Sequence, residues 1–286
     1  MAKAFVLDDV RFQYQRQGPW VLDPISLSIE EGTIFGLLGP SGAGKSTTQK
    51  ILIKLLNNYT GQVRYFGRDL KTLNQSFYEE IGVGFEFPVH FNKLTGKENM
   101  QYFASLYKKP IDFIPLMVRV GLGDAINTPV SNYSKGMKMR LNFVRGMLNN
   151  PKVLFLDEPT NGLDPSNARI LKDIILEEKK KGKTIFISTH LMGDVEELCD
   201  EVTFISKGKV LETSSPKALK IKYGKRELRI EYADENQLKS TAFSMENLGK
   251  NLEFKTLLET KTIITMHSQE TSLDKIFIQI IGGESK

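Results

Sequence analysis

Short runs of β-branched and aromatic residues alternate with longer amphipathic stretches along most of this chain, the order expected of a largely parallel sheet with helices on its faces. The opening differs. Residues 5–10 and 26–31 read as strands joined through a turn-rich stretch, 17–24, which predicts an antiparallel β portion ahead of the α/β core. Residues 33–38 form an apolar strand, 39–46 a Gly-rich turn, and 46–56 a helix that stops at Asn57-Asn58 before Gly61. From about residue 96 to 149 the period is mostly helical, with Met100, Phe103, Ala104 and Tyr107 at spacings of three and four, and a helical subdomain is expected over about 87–149. Strands return at 153–156, 185–188 and 201–206, and Lys207-Gly208 then turns the chain.

Composition shifts after that turn. Between Lys207 and Arg229 stand eight basic residues against two acidic ones, Glu212 and Glu227, and this stretch reads as a solvated linker. A boundary there divides the chain into a main domain, 1–213, and a small C-terminal accessory domain, 214–286. In the latter, 227–232, 252–258 and 262–267 read as strands, with helices at 235–248 and 272–281, a β-α-β-β-α order. For the whole chain of 286 residues, 40% hydrophobic and 26% charged residues fit a globular protein and exclude disorder, collagen and disulfide-scaffold classes. The single cysteine, Cys199, can form no internal disulfide, and no secretory leader pattern opens the chain, so a reducing compartment is expected. No apolar stretch is long enough to cross a bilayer, so any membrane role is expected to run through a partner. The net charge of +5 permits an anionic partner without requiring one.

The chemistry begins at Gly39-Pro40-Ser41-Gly42-Ala43-Gly44-Lys45-Ser46, which matches the GxxxxGK[ST] loop between a predicted strand and a predicted helix. Its glycines let successive backbone N–H groups turn inward around an anion, and the helix start adds the positive end of its dipole. Lys45 is then expected to neutralise nucleotide β and γ phosphates and Ser46 to ligate Mg²⁺, with Thr47 completing the binding set. Lys152-Val153-Leu154-Phe155-Leu156-Asp157-Glu158 puts two carboxylates at the carboxyl end of a buried strand, the edge where open α/β sheets bind ligands. Asp157 is expected to hold Mg²⁺ through water and Glu158 to polarise the water that attacks the γ phosphate. His190 leaves a further apolar strand at the same edge and reads as a γ-phosphate contact. Cys199, His90 and His267 stand outside any cluster and read as structural.

This order of motifs resembles the ATP-binding cassette (ABC) ATPases, the nucleotide-hydrolysing subunits of transporters, over about residues 1–213. Tyr133-Ser134-Lys135-Gly136-Met137 stands in place of the family's commoner Leu-Ser-Gly-Gly-Gln, matching at Ser134 and Gly136 and departing at Lys135 and Met137. Ser134 is a good N-cap for the helix that follows. The resemblance implies a P-loop NTPase cassette in which that helix end grips the γ phosphate held by the Lys45 of a second cassette, so the active unit is expected to be a dimer binding ATP and Mg²⁺. Asp164, in Asn161-Gly162-Leu163-Asp164, resembles the acid of the dimer-contact loop. Tyr14 resembles the aromatic that stacks on adenine, with Phe12 the alternative. Glu86 stands where the family usually has glutamine, a replacement similar to that in transporters for peptide antibiotics and one that adds a carboxylate near the metal. The tail from Thr271 to Phe277 resembles the closing helix of drug, lipid and antibiotic exporters. The resemblance thus implies an ATPase subunit, peripheral on the cytoplasmic face of the cell membrane, that powers a separate transmembrane permease, with export favoured and no direct nucleic acid contact. The alternative is a soluble cassette ATPase acting on nucleic acid or ribosomes, although neither a second cassette nor a long insertion between Lys45 and Ser134 is present.

Overall fold

The computed structural model describes residues 2–87, 89–224, 226–234 and 237–282. The chain divides into two compact units, Met1–Ser215 and Pro216–Lys286. In the first, strands β1 (Lys3–Phe12), β2 (Leu22–Glu30), β4 (Thr60–Tyr65) and β5 (Arg68–Asp69) make an antiparallel sheet in the order β2-β1-β4-β5. A second, six-stranded sheet runs β10-β9-β3-β8-β7-β6, with β3 at Ile34–Leu38, β6 at Ile81–Gly84, β7 at Val153–Asp157, β8 at Thr184–Ser188, β9 at Glu201–Ser206 and β10 at Lys209–Ser214. All its pairs are parallel except β9 with β10, which the turn at Lys207-Gly208 folds back. Every residue of β3 and β8 is buried, which explains the unbroken apolar runs that marked these strands: a sheet covered on both faces leaves no polar alternation. Phe5 of β1 packs against Phe155 of β7 at 5.8 Å, and Phe155 against Phe186 of β8 at 5.4 Å, so the two sheets share one core.

Helix α1 (Lys45–Leu52) follows β3 directly. Between β6 and β7 the chain makes the helical segment, with α2 (Gly96–Ala104), α3 (Ile114–Arg119) and α4 (Lys135–Met147). Thr95 and Glu98 start α2 with a full capping box, and Ser134 caps α4 by accepting the Met137 N–H at 3.2 Å. Helices α5 (Pro165–Lys180) and α6 (Met192–Leu198) then link β7 to β8 and β8 to β9. The edge strand β6 is short and half glycine, so its period is unreadable until β7 pairs with it.

In the second unit the element order corrects the expectation. It contains α7 (Pro216–Tyr223), β11 (Arg226–Asp234), β12 (Gln237–Ser244), α8 (Leu252–Thr260), β13 (Thr262–Glu270) and α9 (Leu273–Gly282), with the sheet order β12-β11-β13. Where a helix was expected over 235–248, residues 237–244 are a strand, and Glu235 and Asn236 lie outside the described residues. Eight consecutive pairings with β11 outweigh the helix preference of Gln, Leu and Lys there. The expected strand at 252–258 is the helix α8. Asn251 caps it by accepting the Phe254 N–H at 3.0 Å, and Phe254 and Leu257, three apart, cover Leu228, Ile230 and Phe243 on the sheet. No described helix is long and apolar enough to cross a membrane.

Candidate functional site

The carboxyl ends of β3, β7 and β8, adjacent in the order β3-β8-β7, bring three separated sequence segments to one edge. The loop from Gly39 to Ser46 leaves β3 there. Gly44, at φ 111°, takes a turn that L-residues rarely adopt, and a Cβ on it would lie 2.6 Å from Leu22 Cδ2, so only glycine fits between the loop and β2. Lys45 folds back on the loop, donating from Nζ to the carbonyls of Gly39 at 2.6 Å and Pro40 at 3.0 Å. Burial pushes its amine below the ordinary lysine value, opposed by the carboxylates of Glu158, Asp157 and Glu86. Ser46 is exposed, while Thr47, buried behind it, meets the Tyr14 hydroxyl at 3.2 Å.

Tyr14 and Phe12 separate clearly. Phe12 is 1% exposed inside the core, whereas Tyr14 is 57% exposed beside the loop and stands edge-on to Phe12 with centroids 4.9 Å apart.

Asp157 ends β7 and accepts a hydrogen bond from the Ser188 hydroxyl of β8. Burial raises its carboxyl above the usual carboxylate range, a shift the Ser188 bond opposes. Glu158 follows at φ 49°, an uncommon conformation for a residue with a side chain, and its N–H donates to Ser188 O at 2.8 Å. Its carboxylate is held from both sides. Thr189 Oγ1 donates to Oε2 at 3.0 Å, while the His190 N–H donates to Oε1 at 3.1 Å and His190 Nδ1 lies 2.7 Å from the same oxygen. The two partners differ in access, because Thr189 is 1% exposed and the His190 side chain 62%. Ser188 and Thr189 escaped the motif reading. Their only signal in sequence is that they end an apolar strand just before His190.

Glu86 lies in the loop after β6. Burial raises its carboxyl, Asp157 and Glu158 raise it further, and His190 and Lys135 oppose. Glu86, Asp157 and Ser46 border one cleft of about 760 Å³, whose other walls include Phe85, Phe87, Val89, Phe103, Leu106 and Arg145. The Ser46 hydroxyl and the Asp157 and Glu86 carboxylates are the kinds of oxygen donor that a hard divalent cation takes, although among the described residues no three His, Cys, Asp or Glu side chains stand together as a metal cluster. Helix α4 holds this loop, since Asn142 Nδ2 donates to Phe85 O and Arg145 to Val89 O, each at 2.7 Å.

Ser134, Gly136 and Asp164 form a separate group. The Lys135 side chain lies along Gly162, a Cβ on Gly136 would meet Leu163 Cδ2 at 3.3 Å, and Asp164 caps α5 by accepting the Asn167 N–H at 3.1 Å. The asparagine bonds hold the Asp164 carboxyl below the usual range.

Comparison with known proteins matches this architecture. Residues 22–161 match the ABC transporter family, and residues 226–270 match the fluoroquinolone efflux ABC transporter C-terminal domain. The chain is 45% identical over 275 residues to a fluoroquinolones export ATP-binding protein of Mycobacterium tuberculosis, covering 96% of this chain and 91% of that one. It is 32% identical over 288 residues to the bacitracin transport ATP-binding protein of Bacillus licheniformis, covering 92% of each. A solved ATP-binding subunit of an ABC transporter superimposes with a TM-score of 0.70 at 27% identity, covering 77% of this chain and 93% of that one. A phosphate loop, acidic strand and histidine on one sheet edge, together with this likeness along almost the full length, place the chain in the ABC transporter family as one of its ATP-binding ATPases.

Proposed function

We propose that this chain powers an exporter as the peripheral ATPase at the cytoplasmic face of the membrane, working in a pair of cassettes beneath a transmembrane permease. The observation that carries the reading is the Glu158 carboxylate, fixed at one edge with Lys45 and Asp157. The loop amides of residues 39–46 and α1 take the phosphates, and Lys45 exchanges its loop carbonyls for them. The exposed face of Tyr14 packs on adenine. Ser46 and Asp157, with Glu86 beside them, would hold Mg²⁺, which when bound neutralises phosphate charge. Glu158 orients a water and accepts its proton, while the water oxygen attacks the γ phosphorus and ADP departs with the bridging oxygen's electrons. His190 contacts the γ phosphate. Ser134 and Gly136, on the group set apart from the loop, serve the ATP of the opposite cassette, with Asp164 at the contact.

The permease fits the cleft bordered by Glu86. Phe87 and Val89 on its rim are 77% and 78% exposed, an apolar surface suited to a docked segment of a membrane subunit. Export rests on the named roles of the fluoroquinolone and bacitracin relatives and on the second unit's match.

The test pairs two substitutions. Lys45→Ala should weaken ATP binding, whereas Glu158→Gln should keep binding, slow phosphate release by about 10²- to 10⁴-fold, and accumulate as a dimer with MgATP. Hydrolysis by Glu158→Gln at the parent rate would refute the assignment of the base.

A further inference from the structure

We infer that Thr189 is a positioning residue for hydrolysis, anchoring one oxygen of the Glu158 carboxylate so that the other is left to act as the base; this rests on Glu158 being the base. The hydrogen bonding around the hydroxyl fixes its direction. Thr189 Oγ1 accepts the Leu191 N–H at 3.1 Å, so its own proton is free to point to Glu158 Oε2, 3.0 Å away. Both groups are buried, at 1% and 8% exposure, so bulk water does not compete for the bond.

The two carboxylate oxygens therefore stand in different positions. Oε2 is bound to a buried hydroxyl in the turn after β8, and the Leu191 N–H holds that hydroxyl's oxygen in place. Oε1 is bound by the His190 N–H and ring, and the ring is largely solvent-exposed. An exposed ring can turn toward a phosphate; a buried threonine cannot follow it. When the imidazole leaves Oε1 for the γ phosphate, that oxygen gains an open lone pair while Thr189 keeps the carboxylate from rotating. The proton of the attacking water then passes to Oε1, its oxygen bonds to the γ phosphorus, and the bond from the γ phosphorus to the β–γ bridging oxygen breaks toward ADP.

The experiment uses the full-length chain with MgATP and compares Thr189→Val, Thr189→Ser and Glu158→Gln, alone and combined. Valine keeps shape and removes both the donor to Glu158 and the acceptor of the Leu191 N–H; serine keeps both. Thr189→Val is expected to lower kcat about 10- to 100-fold, the effect of losing a hydrogen bond to a charged group, with KM for ATP near the parent value and a lowered melting temperature, since the Leu191 N–H also loses its partner. Thr189→Ser is expected to recover most of the rate, and Thr189→Val is expected to cost nothing further in the Glu158→Gln background. Parental kcat in Thr189→Val, or an equal loss in the Glu158→Gln background, would overturn the inference. Parental kcat in Glu158→Gln itself would instead remove the base reading beneath it. Should the valine variant fail to fold, Thr189→Ala, which also lacks the donor, takes its place under the same criteria.

Discussion

At the residue scale, position in the fold separates side chains that the sequence presents as equals. Phe12 and Tyr14 sit two apart on one strand and its extension, and either could stack on a base. The fold commits Phe12 to the core and leaves Tyr14 exposed beside Thr47. The substitutions should therefore separate. Phe12→Ala is expected to destabilise the protein by about 3–5 kcal/mol, read in denaturant unfolding, because a buried ring leaves a cavity. Tyr14→Ala should leave unfolding near parental but weaken ATP binding roughly 5- to 150-fold, the range for loss of one stacked base. A Tyr14→Ala variant that binds ATP like the parent would remove it from the site. Glu86 shows the same dependence on surroundings. In sequence it is a loop acid, yet it lies within electrostatic reach of Asp157, Glu158 and Lys135.

At the element scale, α4 carries more than its capping serine. It starts at the Ser134 group, packs along β6, and holds the loop of Glu86 through Asn142 and Arg145. That packing depends on two glycines in contact. A Cβ on Gly82 of β6 would run into the carbonyl of Gly146 on α4 and lie 2.8 Å from Pro151 Cγ. Backbone cannot yield there as a flexible side chain would, so Gly82→Ala should cost about 1–3 kcal/mol or more in overpacking. Thermal unfolding checks this, with Gly67→Ala as a control whose Cβ meets nothing within 4 Å but whose φ of 78° adds its own modest strain. Equal melting temperatures for the parent and Gly82→Ala would show that β6 and α4 separate easily.

At the scale of the whole molecule, all the phosphate-edge residues lie in the first of the two compact units. A chain ending at Ser215 should therefore fold and bind ATP with unchanged affinity, measured by titration with nucleotide. A folded, soluble truncation unable to bind would make the second unit part of the site. The sequence by itself determined the pieces that short-range physics specifies. The phosphate loop is eight consecutive residues whose glycines and lysine act through local backbone geometry, and the strands buried on both faces announce themselves as apolar runs. Tertiary structure alone decided the rest. Glu158 meets Thr189 and His190 across 31 and 32 residues, and no local period encodes a hydrogen bond between the ends of neighbouring strands. In the second unit, residues 237–244 carry helix-favouring side chains and become a strand because β11 offers a full ladder of partners, while 252–260 become a helix whose Phe254 and Leu257 cover the resulting sheet. Short segments with mixed signals take the conformation that buries their apolar side and satisfies their backbone, and both depend on neighbours that only the folded chain supplies.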